Sequence, residues 1–245
     1  MLFTKQYLKL NWQYKIKKVL IIAVVGLIMN TIVFHVALIY LPGTFVMILE
    51  NLAPVFVFTA TLIFYGIRPK SIEILALLLS FIGILFIVFG KSSFPELSGG
   101  FYIGVILGIL TGVTFGGYIF FSADLMRDFK NAPNQIICFL FKIFVISAVA
   151  CTPFLFTSKT LPSTSTQWFW LFEMGIMQSG LAYLFWNFAL SHIKANTASI
   201  LFLLTIIFTT INEIIFLNLK LNLYLILGGL CICGAGYLIK SMRQI

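Results

Sequence analysis

Residues 19–41 read VLIIAVVGLIMNTIVFHVALIYL, a run without one charged side chain in which only Asn30, Thr31 and His35 are markedly polar. An amphipathic helix of a soluble domain shows an apolar stripe against a polar face, and this run has no polar face to show. About 20 consecutive apolar residues are what a helix needs to cross the hydrocarbon of a bilayer, so the run reads as a membrane span. Seven more runs follow, at 44–66, 72–90, 101–123, 134–157, 167–190, 197–218 and 222–239. The connections are too short for a soluble domain: Leu41-Pro42-Gly43 turns the first pair, Ile67 to Ser71 the second and Lys91 to Gly100 the third. The expected fold is an all-α polytopic membrane protein with about eight transmembrane helices.

Composition agrees. The chain of 245 residues is 61% hydrophobic and 9% charged, against roughly a quarter charged in soluble domains. Its apolar surplus needs an apolar solvent, and the lipid bilayer supplies one. Trp12, Trp168, Trp170 and Trp186 mostly stand where an apolar run begins or ends, as in an aromatic belt. The net charge of +9 is spread over short loops and not along one face, which excludes nucleic acid as a partner and suits anionic headgroups. Cys138, Cys151, Cys231 and Cys233 lie inside apolar runs and read as small packing residues. Residues 1–18, with five lysines, form a basic cytoplasmic leader; the apolar run behind it is too long for a signal peptide.

Orientation follows from counting Lys and Arg on the two sides. Twelve collect with the leader, Arg68 and Lys70, Arg127 and Lys130, Lys194, Lys240 and Arg243, and three (Lys91, Lys159, Lys220) on the other side. That bias places both termini in the cytoplasm. The chain also repeats itself. Ala37-Leu38 ends the first span and Ala189-Leu190 the sixth; each is followed by a second helix and then by a span with glycines seven apart, Gly83 and Gly90 or Gly229 and Gly236. Internal repetition marks transporter folds. The expected organisation is the leader, a first repeat of three helices over 19–90 and a second of five over 101–242.

Ser179-Gly-Leu-Ala-Tyr-Leu-Phe-Trp-Asn-Phe-Ala-Leu190, continuing into Ala195-Asn-Thr-Ala-Ser199, resembles the second repeat of the EamA-type transporters of the drug/metabolite transporter superfamily. Ala37-Leu-Ile-Tyr-Leu-Pro-Gly43, Glu50-Asn-Leu-Ala-Pro-Val-Phe56, Gly66-Ile-Arg-Pro69 and Phe81 to Gly90 are similar to the first. The resemblance implies a plan of ten spans in two five-helix repeats, from which this chain would lack the opening two. It also departs in detail: Gly66-Ile67 and Asn218-Leu219 stand where a Gly-Glu pair is usual, and Ile206 where the second repeat has its proline.

Ionisable groups at membrane depth cost on the order of 2.5–3.5 kcal/mol, so each needs a reason. Glu50, beside Asn51 and one turn before Pro54, is the first candidate, because proline breaks the helix and a polar residue at a break is how transporters build solute or ion sites. Glu213 is the second; Thr209, Asn212 and Glu213 share a helix face by their spacing, and a desolvated carboxyl suits proton coupling. Tyr183, Trp186 and Asn187 offer aromatic and amide groups to an organic solute, and Tyr118 has similar standing. The competing reading of Glu50 is a side chain near the outer interface, six residues into its span, that snorkels or bonds a neighbour. That of Glu213 is a hydrogen bond that only holds the bundle, and that of the others is helix packing. His35, Glu173 and Lys142 rank lower, with Lys142 as a counter-ion to one of the carboxylates. Gly104, Gly108, Gly112 and Gly116 make a smooth groove for close packing along the fourth span.

The leading expectation is a secondary transporter of a small organic solute, such as an amino acid or related metabolite, in the cytoplasmic (inner) membrane. It needs no cofactor or metal, and a homodimer is compatible with it. The alternative is a non-transporting remnant or packing subunit. An intramembrane enzyme is excluded: there is no Gly-x-Ser-Gly nucleophile, Asp124 and Asp128 sit at a loop, and no ligands cluster for a metal.

Overall fold

The computed structural model describes residues 15–90, 99–155, 162–216 and 218–241. Every regular element among them is a helix. They are α1 (Ile16–Tyr40), α2 (Gly43–Glu50), α3 (Ala53–Tyr65), α4 (Ser71–Gly90), α5 (Gly99–Asp128), α6 (Pro133–Leu155), α7 (165–190), α8 (Ala195–Phe202), α9 (Thr205–Phe216) and α10 (Leu223–Ser241). All eight apolar runs are helical where described. Six are long and apolar enough to cross a membrane: α1, α2–α3, α4, α5, α6 and α8–α9. The run over 223–239 is a shorter apolar helix. The run over 167–190 is helical but diluted by Glu173, Gln178, Ser179 and Asn187. Much of the leader, with several charges of the orientation count, lies outside the described residues.

The helices fall into two compact units, one of 1–29 with 121–194 and one of 30–120 with 195–245. Each draws on residues of both repeats expected from the sequence.

In the second unit α4 and α10 form the tightest pair. A Cβ built on Gly83 would lie 2.7 Å from the Gly228 carbonyl oxygen, and one on Gly228 2.6 Å from that of Gly83, so only two glycines let these backbones touch. The partner of Gly83 is thus Gly228, while a Cβ on its neighbour Gly229 meets nothing within 4 Å. Ile84, Ile87, Leu203, Ile206, Leu225 and Ile232 fill the core beside this contact. Asn222 seals its end, donating to the Gly90 carbonyl at 2.7 Å and accepting from the Leu225 N–H at 3.0 Å as the cap of α10.

The glycine row of α5 does what its spacing predicts. Gly104 packs on Leu41, Gly108 on Leu49, Gly112 against the Leu49 carbonyl and Gly116 against the Ala53 carbonyl. The row therefore seats α2 and the first turn of α3, including the interruption between them. Gly66 ends α3 at φ 64°, the left-handed conformation glycine adopts without strain.

In the first unit α1, up to Met29, packs on α6. Lys15 donates to Asp128 and Lys18 to Asp124, tying the start of α1 to the end of α5. A capping box opens α7: the Gln167 N–H donates to Thr164 Oγ1 and the Thr164 N–H to Gln167 Oε1, each at 3.3 Å. Large apolar side chains such as Ile63, Phe64, Phe216 and Tyr237 stay more than half exposed, which a bilayer accommodates and water does not.

Candidate functional site

The site is built on an interruption. Pro54 has no N–H to return to the carbonyl of Glu50, one turn back, so the helix that begins at Gly43 stops at Glu50 and restarts at Ala53 with proline in its first turn. The gap is bridged by tighter bonds, Leu52 N–H to the Leu49 carbonyl at 3.1 Å and Val55 N–H to the Leu52 carbonyl at 2.9 Å. Asn51 lies in the gap and is 1% exposed. Its Nδ2 donates to the Met47 carbonyl at 2.6 Å, and its Oδ1 has no partner among the described residues. An unpaired amide oxygen at such burial is costly, which makes it a group available to a solute or water.

Glu50, half-buried, ends α2. Its Oε1 accepts from Asn30 Nδ2 at 3.2 Å. The same nitrogen lies 3.1 Å from the Thr111 carbonyl oxygen and 3.2 Å from Thr114 Oγ1, so three helices meet at one amide. Asn30 is 8% exposed and directly follows a π-helical turn over Ile22–Met29, a distortion that often accompanies a functional position. Asn30, Thr111 and Thr114 are the site residues that sequence reasoning missed. Asn30 was visible as the one amide in the first apolar run, and Thr111 and Thr114 as the hydroxyls interleaved with the glycine row.

The other candidates scatter. Tyr118 is fully buried, its ring stacked on Phe115 at 6.1 Å with 14° between planes, and Phe115 meets Phe202 at 4.5 Å; its surroundings are aromatic packing. Glu213 is half-buried on α9. The polar face read there divides: Thr209 donates to the Thr205 carbonyl at 2.9 Å, Asn212 is exposed, and Thr210, on another side, is buried with no partner for its hydroxyl among the described residues. Tyr183, Trp186 and Asn187 belong to the other unit. Asn187 is fully buried and donates to the Tyr183 carbonyl at 2.8 Å, and Tyr183 meets Phe144 edge-on at 5.8 Å. Lys142, 5% exposed, lines a small recess with Val19, Leu125, Phe129 and Cys138. His35 is exposed and bonds the Thr31 carbonyl at 2.7 Å.

The EamA-like transporter family matches residues 102–241. A biotin transporter of Salmonella typhimurium is 25% identical over 178 residues, 71% of this chain and 56% of that protein. A biotin transporter of Escherichia coli K12 is 24% identical over 113 residues, 46% of this chain and 38% of that protein. The chain thus spans about half the length of the curated relatives it matches. A solved crystal structure superposes with a TM-score of 0.72 over 91% of this chain and 76% of its own, at 16% identity, a likeness of fold alone.

Proposed function

From the premise that the chain belongs to the EamA-like transporter family, we propose that it is a secondary transporter of a small organic solute, with Glu50 as the carboxyl that exchanges the coupling proton. It is a multi-pass membrane protein of a transporter family and not an enzyme. The proposal adds the cytoplasmic (inner) membrane as its location, with both termini on the cytoplasmic side as the basic loops require.

One observation carries the reading: a carboxyl within an apolar span stands at a helix break, tied to a second and a third helix through one amide. A broken helix exposes backbone polarity within a span, which is how transporters build solute and ion sites, and an ionisable group there is costly without a role. Asn51 Oδ1 adds an unpaired acceptor beside it. The solute class is an amino acid or related small metabolite. Biotin, the solute in the names of the relatives, is the first probe to add.

The test is flux into proteoliposomes holding the full chain, with labelled amino acids and labelled biotin under an imposed proton gradient. The parent is expected to move at least one of them above protein-free vesicles. Glu50→Gln should lower that flux by about tenfold or more, equivalent to roughly 1.4 kcal/mol in the limiting barrier, and Glu213→Gln by less. Flux equal to protein-free vesicles across the whole set rejects the transporter reading. Glu50→Gln flux equal to the parent rejects the role of Glu50.

A further inference from the structure

The Asn30 amide faces more acceptors than it can serve. Its Nδ2 carries two hydrogens, and three oxygens lie in reach: Glu50 Oε1 at 3.2 Å, the Thr111 carbonyl at 3.1 Å and Thr114 Oγ1 at 3.2 Å. Thr114 commits its own hydrogen to the Leu110 and Thr111 carbonyls, each at 3.0 Å, so it meets Asn30 only as an acceptor. Turning the amide over would set its oxygen against a carbonyl and a carboxylate, neither of which donates, so the neighbours fix the nitrogen where it is.

We propose that Asn30 is the positioning residue that reads the protonation state of Glu50, and that this site exchanges a proton and not a metal cation. The inference rests on Glu50 as the coupling carboxyl. With Glu50 ionised, one Asn30 hydrogen is held on Oε1 by charge-assisted donation, which ties α1 to the end of α2. When a proton from water adds to the carboxylate, Oε1 becomes the weakest acceptor of the three. Both Asn30 hydrogens then go to Thr111 and Thr114, α1 is tied to α5 alone, and the end of α2 is released. Loss of the proton to water reverses the exchange.

A metal cation does not fit the same place. Hard cations gather about six or more oxygens around one centre, and the centre these three oxygens share already holds an amide nitrogen with its positive hydrogens. No lysine, arginine, histidine or second carboxylate pairs with Glu50 among the described residues. On α1, His35 is occupied with the Thr31 carbonyl. On α5, Thr111 and Thr114 are uncharged, and on its own segment the neighbour is the neutral Asn51. Among the described residues, the proton on Glu50 is thus the only charge that changes there.

The test is spectroscopic and needs no solute. The full chain is labelled with 15N-asparagine, placed in lipid nanodiscs, and its Asn30 side-chain resonance is identified by loss in Asn30→Ser. In the parent the resonance should move with pH as a single titration. In Glu50→Gln it should rest at the acid-limit position at every pH. Thr114→Val, which removes one competing acceptor and leaves the carboxyl, should keep the titration with a smaller total shift, and carries the test if Glu50→Gln fails to fold. Replacing sodium by choline at constant ionic strength should move nothing. A resonance indifferent to pH, or one titrating alike in Glu50→Gln, overturns the role of Asn30. A saturable sodium-dependent shift overturns the choice of ion. Absence of flux in proteoliposomes rejects the transport reading and leaves this titration standing or falling by itself.

Discussion

The chain breaks two helices in the same way and uses the breaks differently. α2 stops at Glu50 and α3 restarts at Ala53, with Pro54 second; α8 stops at Phe202 and α9 restarts at Thr205, with Ile206 second. Only the first break has a proline. In the second the ladder tightens and stays closed: Leu203 N–H donates to Ile200, Leu204 to Leu201 and Ile206 to Leu203, at 3.1 to 3.2 Å. What surrounds the breaks differs as well. Leu203 and Ile206 are buried in an apolar cluster with Ile84, Ile87, Leu225 and Ile232, whereas Glu50 and Asn51 bring a carboxyl and an unpaired amide oxygen to theirs. Proline is therefore not what makes a break in this fold, since packing holds the second without it. What proline adds is a Glu50 carbonyl to which its own position returns no N–H, and the polar site stands there.

The sharpest way to break this comparison is to move the proline. Ile206→Pro deletes one N–H bond, the 3.2 Å link to Leu203, at a place already non-helical, and should cost about 1 kcal/mol. Ile84→Pro, in the uninterrupted α4, should cost about 3 kcal/mol or more, because it removes a regular bond and drives its ring into the preceding turn. Thermal unfolding of the purified variants in one detergent reads both. If the two prolines lower the midpoint equally, the second break is an ordinary stretch of helix and the likeness between the halves fails.

The same contrast explains how much was legible in the sequence. Apolar runs gave all the helices, because span length and hydropathy are read residue by residue. Pro54 announced its break, since the missing N–H is written in the residue type. The break before Thr205 was not legible; it depends on how Leu203 and Ile206 pack, and Ile206 looked like the loss of a feature that the structure retains. Glu50 was legible because charge in a span is rare. Asn30, Thr111 and Thr114 were not, because a hydroxyl or amide in a span usually bonds its own helix, and only the fold brings these three together. The facing of Gly83 by Gly228 was not legible either. Spacing within a repeat sets which residues correspond, while helix rotation decides which of two adjacent glycines faces the neighbour.

A smaller effect is expected where α5 covers the first break. A Cβ on Gly112 would lie 2.9 Å from the Leu49 carbonyl, a backbone atom that cannot turn aside. Gly112→Ala should therefore push α2 from its groove and lower stability by about 1–3 kcal/mol, as overpacking does. Gly229→Ala is the matched control, with nothing within 4 Å of the new methyl, and should be neutral or stabilising by up to about 1 kcal/mol through helix propensity. Equal losses in the two variants would mean that the glycine row confers flexibility and not fit. A loss confined to Gly112→Ala makes the close covering of the gap a second property that separates the first break from the other.

The smallest effect concerns what joins the two broken helices. Thr61 on α3 reaches Asn196 on α8, its Oγ1 lying 3.1 Å from Asn196 Oδ1, with both residues buried. The hydroxyl has one hydrogen and shares it with the Val57 carbonyl of its own helix at 2.7 Å, so the cross-helix link is the weaker branch. A double-mutant cycle over Thr61→Val and Asn196→Ala should return a coupling of about 0.6 kcal/mol, the average for hydrogen bonds between membrane helices. A coupling near zero would mean that Thr61 serves its own helix alone and that the two broken helices are held together by apolar contact through Phe58 and Ile200. A coupling of about 2 kcal/mol or more would mean the reverse, with the polar link fixing the register of one break against the other. The second break would then be a structural partner of the site despite its apolar lining.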